Sequence, residues 1–355
     1  MNGLLICTGE GKYKNIGDYI QSLAQEQFWN HIDINVEREF LSKVESELPI
    51  NLIMNSWYMW HPENFPPSSC INPLFVSFHI SPSVEEAMMT PQTVEYLKKH
   101  APIGARDIGT LEILKRHGVD SYFSGCLTLT LGQHYKTEEC DDSIYFVDPY
   151  FEYGEKNIFE WFLPTLYWTI KYYRVLKRLK SKFVCFKYSK ISRVSKSVDR
   201  LFCLASFYKA YSSLFTKEVL LNATYVKHMI KRKTKDNKLE YARELVKKYA
   251  KARLVVTSRI HSALPCVGLE TPVLFVNSKY LENGKYPDRF RGLKDFFNMI
   301  DYSKGKLIPS SRVRSFMNGN MIETTTKISN PDTYLPYKMK LIHDVEEFVR
   351  RCEQK

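Results

Sequence analysis

The stretch ARLVVTSRIHSALPCVGLETPVLFV, residues 252–276, sets the fold class. Leu254, Val255 and Val256 form a short apolar run suited to a strand covered on both faces. A short helix separates it from a second apolar strand, PVLFVNS, residues 272–278. Strand, helix, strand is the repeating unit of a parallel sheet with crossover helices. Pro265 limits where that helix begins, because proline is tolerated in the first turn, among N–H groups that have no intrahelical partner. Arg259 and His261 are thereby left in or beside the turn. In extended backbone residues i and i+2 point the same way, whereas on a helix they diverge by about 200°. A pair that acts jointly needs extended or looped backbone.

The same alternation continues in both directions. GLLICTG, INLIMNS, PLFVSFHI, APIGAR and SYFSG read as N-terminal strands with helices between them. Ile16, Ile20, Leu23, Ala24 and Phe28 make one apolar helical face over 16–29. Thr90 before Pro91 predicts a capped helix start. Asp107 predicts a second cap, with Leu111 and Leu114 inward and Gly118 as the stop. After SIYFVDP the pattern breaks for an aromatic, basic stretch from about 154 to 215. It resumes with a helix near 238–251. The tail, about 333–353, reads as a last helix with Ile342, Val345, Phe348 and Val349 inward.

Length and composition bound the rest. A chain of 355 residues with 44% hydrophobic content supports two cores. The eight cysteines are scattered without a C-x-x-C pair, so they read as reduced thiols and no metal site is expected. No run reaches the length of a membrane span, and MNGLLICTG lacks a basic n-region, so a cytoplasmic chain is expected. The net charge of +12 is concentrated: residues 171–200 hold eleven Lys and Arg against the single acid Asp199.

Polar groups cluster at three strand-to-helix junctions. In GEGKYKNIGDY (9–19), Gly9, Gly11 and Gly17 allow a tight loop and Asp18 enters the first helical turn. The loop matches neither G-x-G-x-x-G nor a Walker motif, and Asp18 can serve either chemistry or the helix dipole. Arg106 stands ahead of the cap Asp107, and Arg259 stands in the opening stretch. Both arginines sit beside helix N-termini, an arrangement suited to phosphate or carboxylate.

These blocks, NIGDYIQSLAQEQF, GARDIGTLEILKRHGV with SGCLTLTL, and ARLVVTSRIHSALPCVGLETPVLFV, resemble the polysaccharide pyruvyl transferase family. The T-x-R-x-H motif is the most specific part. Cys266-Val267 before Gly268 departs from the small residues more usual there, and the basic segment has no counterpart. The resemblance implies an α/β fold of two Rossmann-like domains, GT-B-like, with a basic aromatic helical insertion. The expected division is an N-terminal domain over 1–140, a C-terminal domain over 141–330 carrying the insertion at about 154–215, and a C-terminal helix over 331–355. The implied reaction moves the pyruvyl group of phosphoenolpyruvate onto two sugar hydroxyls as a cyclic ketal, releasing phosphate, in capsular or exopolysaccharide biosynthesis. No cofactor is implied; phosphoenolpyruvate is the donor substrate. His261 is the expected proton-transfer residue and Asp18 a base or acceptor contact. Arg259, Arg106, Ile260, Asn15 and Asn55 make up the expected substrate-binding set. Two cationic clamps suit a donor that carries phosphate and carboxylate close together.

The basic segment is expected to meet an anionic membrane. On a helix Tyr172, Val175, Leu176 and Leu179 cover one face, with Lys171, Arg174, Lys177 and Arg178 beside it, the layout of an interfacial helix. A polyprenyl-pyrophosphate-linked sugar acceptor, as used by relatives that build capsules, would lie at such a surface. A solvated charge run is the plain alternative. No recognisable nucleic-acid module accompanies the charge. Two other functions share the pattern: a GT-B glycosyltransferase using a nucleotide sugar, and a non-catalytic lipid- or polymer-binding protein.

Overall fold

The computed structural model describes residues 1–7, 15–154, 158–187, 195–229, 238–278 and 290–354. The glycine loop at Gly9 and Gly11, parts of the insertion and the Trp161 side chain lie outside the described set.

The fold is α/β, built on parallel sheets. In the N-terminal half, strands β1 (Asn2–Ile6), β2 (Ile34–Glu37), β3 (Ile50–Ile53) and β5 (Ile71–Leu74) form a parallel sheet in the order β2-β1-β3-β5. A two-stranded pair, β4 (Trp57–Tyr58) with β6 (His79–Ile80), follows β3. Backbone bonds from Gly104 N to Phe75 O and from Phe78 N to Gly104 O, both 2.9 Å, carry the layer on to β7 (Ile103–Ala105) and β8 (Ser121–Phe123).

The C-terminal half holds six strands: β9 (Ile144–Val147), β10 (Thr224–Val226), β11 (Leu254–Thr257), β12 (Val273–Ser278), β13 (Asn298–Ser303) and β14 (Lys306–Pro309). Their order is β10-β9-β11-β12-β13-β14, parallel except for the β13–β14 hairpin. Every residue of β9 and β11 is buried, as central parallel strands covered on both faces must be.

Nine helices of eight or more residues are described: α1 (Ile16–Glu26), α2 (Pro91–Lys99), α3 (Ile108–Arg116), α4 (Ile158–Lys171), α5 (Tyr173–Lys180), α6 (Lys196–Tyr211), α7 (Lys238–Lys251), α8 (Ile260–Gly268) and α9 (Leu335–Glu353). Local chemistry sets their ends. Thr90 Oγ1 accepts from Thr93 N at 3.2 Å, and Asp107 Oδ1 accepts from Thr110 N at 2.9 Å. Gly118 follows α3 at φ +68°, a left-handed position that glycine adopts without penalty. In α9 the inward residues are Leu341, Val345, Phe348 and Val349; Ile342, expected inward, is only partly buried.

The largest apolar cluster lies between the sheets and gathers Ile16, Leu23, Leu129, Val246, Leu264 and Val345. A second lies under the N-terminal sheet around Leu52, Tyr58 and Phe78. A third joins the C-terminal sheet to the insertion through Phe146, Leu176, Phe207 and Tyr211. Helix α9 returns to the N-terminal half: Tyr122 Oη donates to Asp344 at 2.7 Å, and Trp29 meets Phe348 edge-on at 6.1 Å. Gly132 and Gly268 allow a close backbone approach: a Cβ at Gly132 would stand 2.2 Å from Gly268 O, and one at Gly268 2.4 Å from the carbonyl oxygen of Leu129.

The insertion corrects one expectation. Val175, Leu176 and Leu179, read as a lipid-facing stripe, are buried with Phe202 and Phe207. Tyr172 stacks on Trp168 at 4.8 Å, and both rings meet Tyr208. The sequence pattern shows that a helix is two-faced; which surface takes the apolar face depends on what folds beside it, here α6. The outward apolar residues are instead Leu163, Tyr167 and Ile170 of α4 and Tyr173 of α5, with Ile170 70% exposed. Lys171, Arg174, Lys177 and Arg178 are exposed beside them.

Candidate functional site

The polar residues of interest sit where β1, β2, β3, β7, β9, β10 and β11 end, the edge where open α/β sheets bind ligands. Two of those ends meet directly. Asn15 caps α1, its Oδ1 accepting from Gly17 N at 3.3 Å. Ile16 N donates to His228 O at 3.0 Å, and Asn15 bridges Met229, so the start of α1 is tied to the end of β10. Gly17 then lies against His261: a Cβ at 17 would stand 2.9 Å from His261 Cβ and 3.0 Å from its Nδ1.

Asp18 faces a charge that the sequence reading missed. Arg38, at the end of β2, is 1% exposed and places Nη1 4.0 Å from Asp18 Oδ1. Its Nε and Nη2 donate to Glu39 Oε1 at 2.9 and 2.7 Å. Burial works against the Arg38 charge, but the Asp18 and Glu39 carboxylates outweigh it and hold the guanidinium firmly protonated. Gln21 Nε2 also donates to Asp18, at 3.4 Å.

Helix α8 begins one residue after Arg259, whose backbone is extended at φ −103°, ψ 123°. Pro265 lies inside the helix rather than in a first turn after the pair. Having no N–H, it cannot bond to the carbonyl four residues back, and that residue is His261, where the helix kinks at φ −84°, ψ 18°. The kink gives the pair different surroundings. His261 is buried against Gly17, while Arg259 is 43% exposed with Nε 3.0 Å from Asp148 Oδ2.

Asp148 and His228 form the layer under Arg259. Asp148 Oδ2 also accepts from His228 N at 3.1 Å. The His228 ring is fully enclosed, with Nε2 at 3.0 Å from Tyr249 Oη and 2.9 Å from Ser262 Oγ. Burial, aided by the Arg259 charge, pushes its pKa down to about 3, so the ring is neutral near pH 7.

Arg106 stands at the end of β7, 2% exposed, with Nε 3.5 Å from Asp107 Oδ2. Its Nε and Nη1 have no hydrogen-bond partner among the described residues, and none of these contacts joins it to Arg259 or His261. His79 Nδ1 reaches the same Asp107 oxygen at 2.6 Å. Burial alone would raise the Asp107 pKa, but His79, Arg106 and the Thr110 N–H bring it below the usual carboxylate range.

Two expected substrate contacts also hold the interior together. Asn55 is buried, donating to Gln21 O at 3.0 Å and accepting from Gln25, which ties β3 to α1. The Ile260 side chain is buried in the central cluster, leaving only its backbone at the start of α8. Among the described residues no group of three or more His, Cys, Asp or Glu is placed to hold a metal ion. No helix there is long and apolar enough to cross a membrane.

Asp18, Arg106 and the pair Arg259 and His261 therefore lie at three strand-to-helix junctions, and the polypeptide joins two of these, from opposite halves, at Gly17 and His261. No curated protein matches the chain. A family model, polysaccharide pyruvyl transferase, matches residues 15–280, about three quarters of the length, from the cap of α1 to beyond β12. That span contains all four residues, and the chain belongs to the polysaccharide pyruvyl transferase family.

Proposed function

We propose that this transferase moves the pyruvyl group of phosphoenolpyruvate onto two hydroxyls of a sugar as a cyclic ketal, in capsular or exopolysaccharide biosynthesis. The observation that carries the reading is the seating of His261 against Gly17, which brings an imidazole of the C-terminal half against the residue that precedes Asp18 in the N-terminal half. The two sheets are read as two Rossmann-like lobes of GT-B type, 1–140 and 141–330, with 331–355 closing back on the first.

In this scheme Arg259, half-exposed beside Asp148, and the buried Arg106 clamp the phosphate and carboxylate of the donor. His261 gives a proton to the methylene carbon, leaving an oxocarbenium-like centre at C2. One sugar hydroxyl adds there and surrenders its proton to Asp18. The second hydroxyl forms the other C–O bond as the C–O bond to phosphate breaks, and its proton leaves with the phosphate. No cofactor enters these steps.

The acceptor is proposed to be carried on a polyprenyl pyrophosphate at the cytoplasmic face of the membrane. The exposed Leu163, Tyr167, Ile170 and Tyr173, flanked by Lys171, Arg174, Lys177 and Arg178, support peripheral contact with anionic lipid. Labelled phosphoenolpyruvate with lipid-linked oligosaccharide tests the whole reading. Phosphate release with an acid-labile mass gain on the sugar is expected. Thermal stabilisation by a nucleotide sugar and not by phosphoenolpyruvate would replace it with glycosyl transfer.

A further inference from the structure

β4 and the turn that follows it carry two tryptophans that the reaction scheme leaves unused. Trp57 is half-buried and Trp60 is 50% exposed, their ring centroids 4.7 Å apart at 67°. Trp60 exposes a large flat apolar face that neighbours Trp57 without being covered by it. The pair is anchored to the residues around Asp18. The Arg38 guanidinium carbon lies 5.1 Å from the Trp57 ring centroid, on the same side chain that reaches Asp18. Glu39, the buried partner of Arg38, accepts from Trp60 N at 2.8 Å and from His61 N at 3.0 Å.

A continuous set of contacts thus runs from His261 through Gly17 to Asp18, Arg38, Trp57 and the exposed Trp60. Glu39, buried with Arg38, fixes the backbone at Trp60 and His61, and the Trp60 indole rests edge-on against Trp57. Two polar residues, His61 and Glu63, follow Trp60 closely in the sequence. His61 stacks on Phe40, and its Nδ1 is 2.9 Å from Glu63 Oε1, both side chains being exposed.

An exposed flat apolar ring, followed one and three residues on by an exposed imidazole and carboxylate, matches one class of ligand. A pyranose presents an apolar C–H face and a rim of hydroxyls that donate and accept. We infer that Trp60, backed by Trp57, is the stacking platform for the sugar acceptor, with His61 and Glu63 as hydroxyl partners. The inference rests on the pyruvyl-transfer reading and adds to it where the acceptor lies: on the N-terminal side, reached from Asp18 across Arg38.

Saturation-transfer NMR on the full chain tests it, with methyl β-D-glucopyranoside and methyl β-D-galactopyranoside as probes. Each is compared with Trp60→Ala and Trp60→Phe, and a melting curve with phosphoenolpyruvate is recorded on the same samples. Transfer to the ring protons of at least one glycoside is expected in the wild type. It should fall about tenfold in apparent affinity in Trp60→Ala, recover in Trp60→Phe, and leave the phosphoenolpyruvate melting shift unchanged. Equal transfer in wild type and Trp60→Ala, or none in the wild type, overturns the subsite. Absence of the melting shift in the wild type overturns the donor reading instead, so the two failures are told apart.

Discussion

Gly17 and His261 are in contact across the seam between the two halves of the chain, with room for a hydrogen and not for a methyl group. The contact point on the histidine is its Cβ and Nδ1, close to the backbone, so the ring cannot swing aside without moving α8. Gly17→Ala should therefore displace His261. We expect a loss of about 1–3 kcal/mol in stability from overpacking and a fall in turnover of about tenfold or more. Thermal melts and phosphate release measure the two; wild-type turnover in the Gly17→Ala variant would show that the seam is not part of the site.

Substitutions at the two ends of the R-x-H motif should separate two roles. His261→Ala removes the proposed acid and should leave a folded protein whose turnover falls by about 10²–10⁴. Arg259→Lys keeps the charge and loses the fork that holds Asp148 and a donor oxyanion together. It should raise KM for phosphoenolpyruvate about tenfold with a smaller change in kcat. Steady-state phosphate release distinguishes them, and unchanged turnover in His261→Ala removes that side chain from the chemistry.

His228 makes stability depend on acid. Its folded pKa, about 3, lies below the ordinary value near 6.5, so between those two pH values the unfolded chain binds a proton that the folded chain refuses. Its contribution is fully present above pH 6.5 and declines as pH falls toward 3. The melting temperature should drop between about pH 7 and pH 4, and His228→Asn should show a shallower drop from a lower starting point. A parallel pH dependence in the two proteins would exclude His228 as the cause.

The proposed membrane contact involves the exposed apolar residues of α4 and the basic residues beside them. Each basic residue near an anionic surface contributes ~1 kcal/mol. Replacing Lys171, Arg174, Lys177 and Arg178 with Glu should reduce binding to phosphatidylserine vesicles by about a hundredfold or more. Ile170→Asp should weaken it without affecting the fold, since that side chain is largely in solvent. Flotation at two salt concentrations checks both, and binding insensitive to salt and to lipid charge would refute the contact.

Much of the fold was legible in the sequence because its signals are local. Thr90 and Asp107 cap the helices expected of them, and LVVT lies in the interior of a parallel sheet. Arg38, Asp148 and His228 were legible in principle, since each ends or closely follows a strand, but nothing in their immediate sequence marks them as buried. Trp60 gives no periodic signal at all; its exposure comes from a loop held by Glu39.

The order of amino acids alone determined the alternation of strands and helices, their ends, the basic segment and the R-x-H motif. Caps, prolines, glycines and hydrophobic spacing act through bonds spanning a few residues. Tertiary structure decided which apolar face of the insertion is covered, that Asn55 ties β3 to α1 and Ile260 packs in the central cluster, and that Arg38 stands behind Asp18. Burial and charge pairing depend on neighbours brought from far along the chain: α6 covers α5, and β10 delivers His228 beside the start of α1.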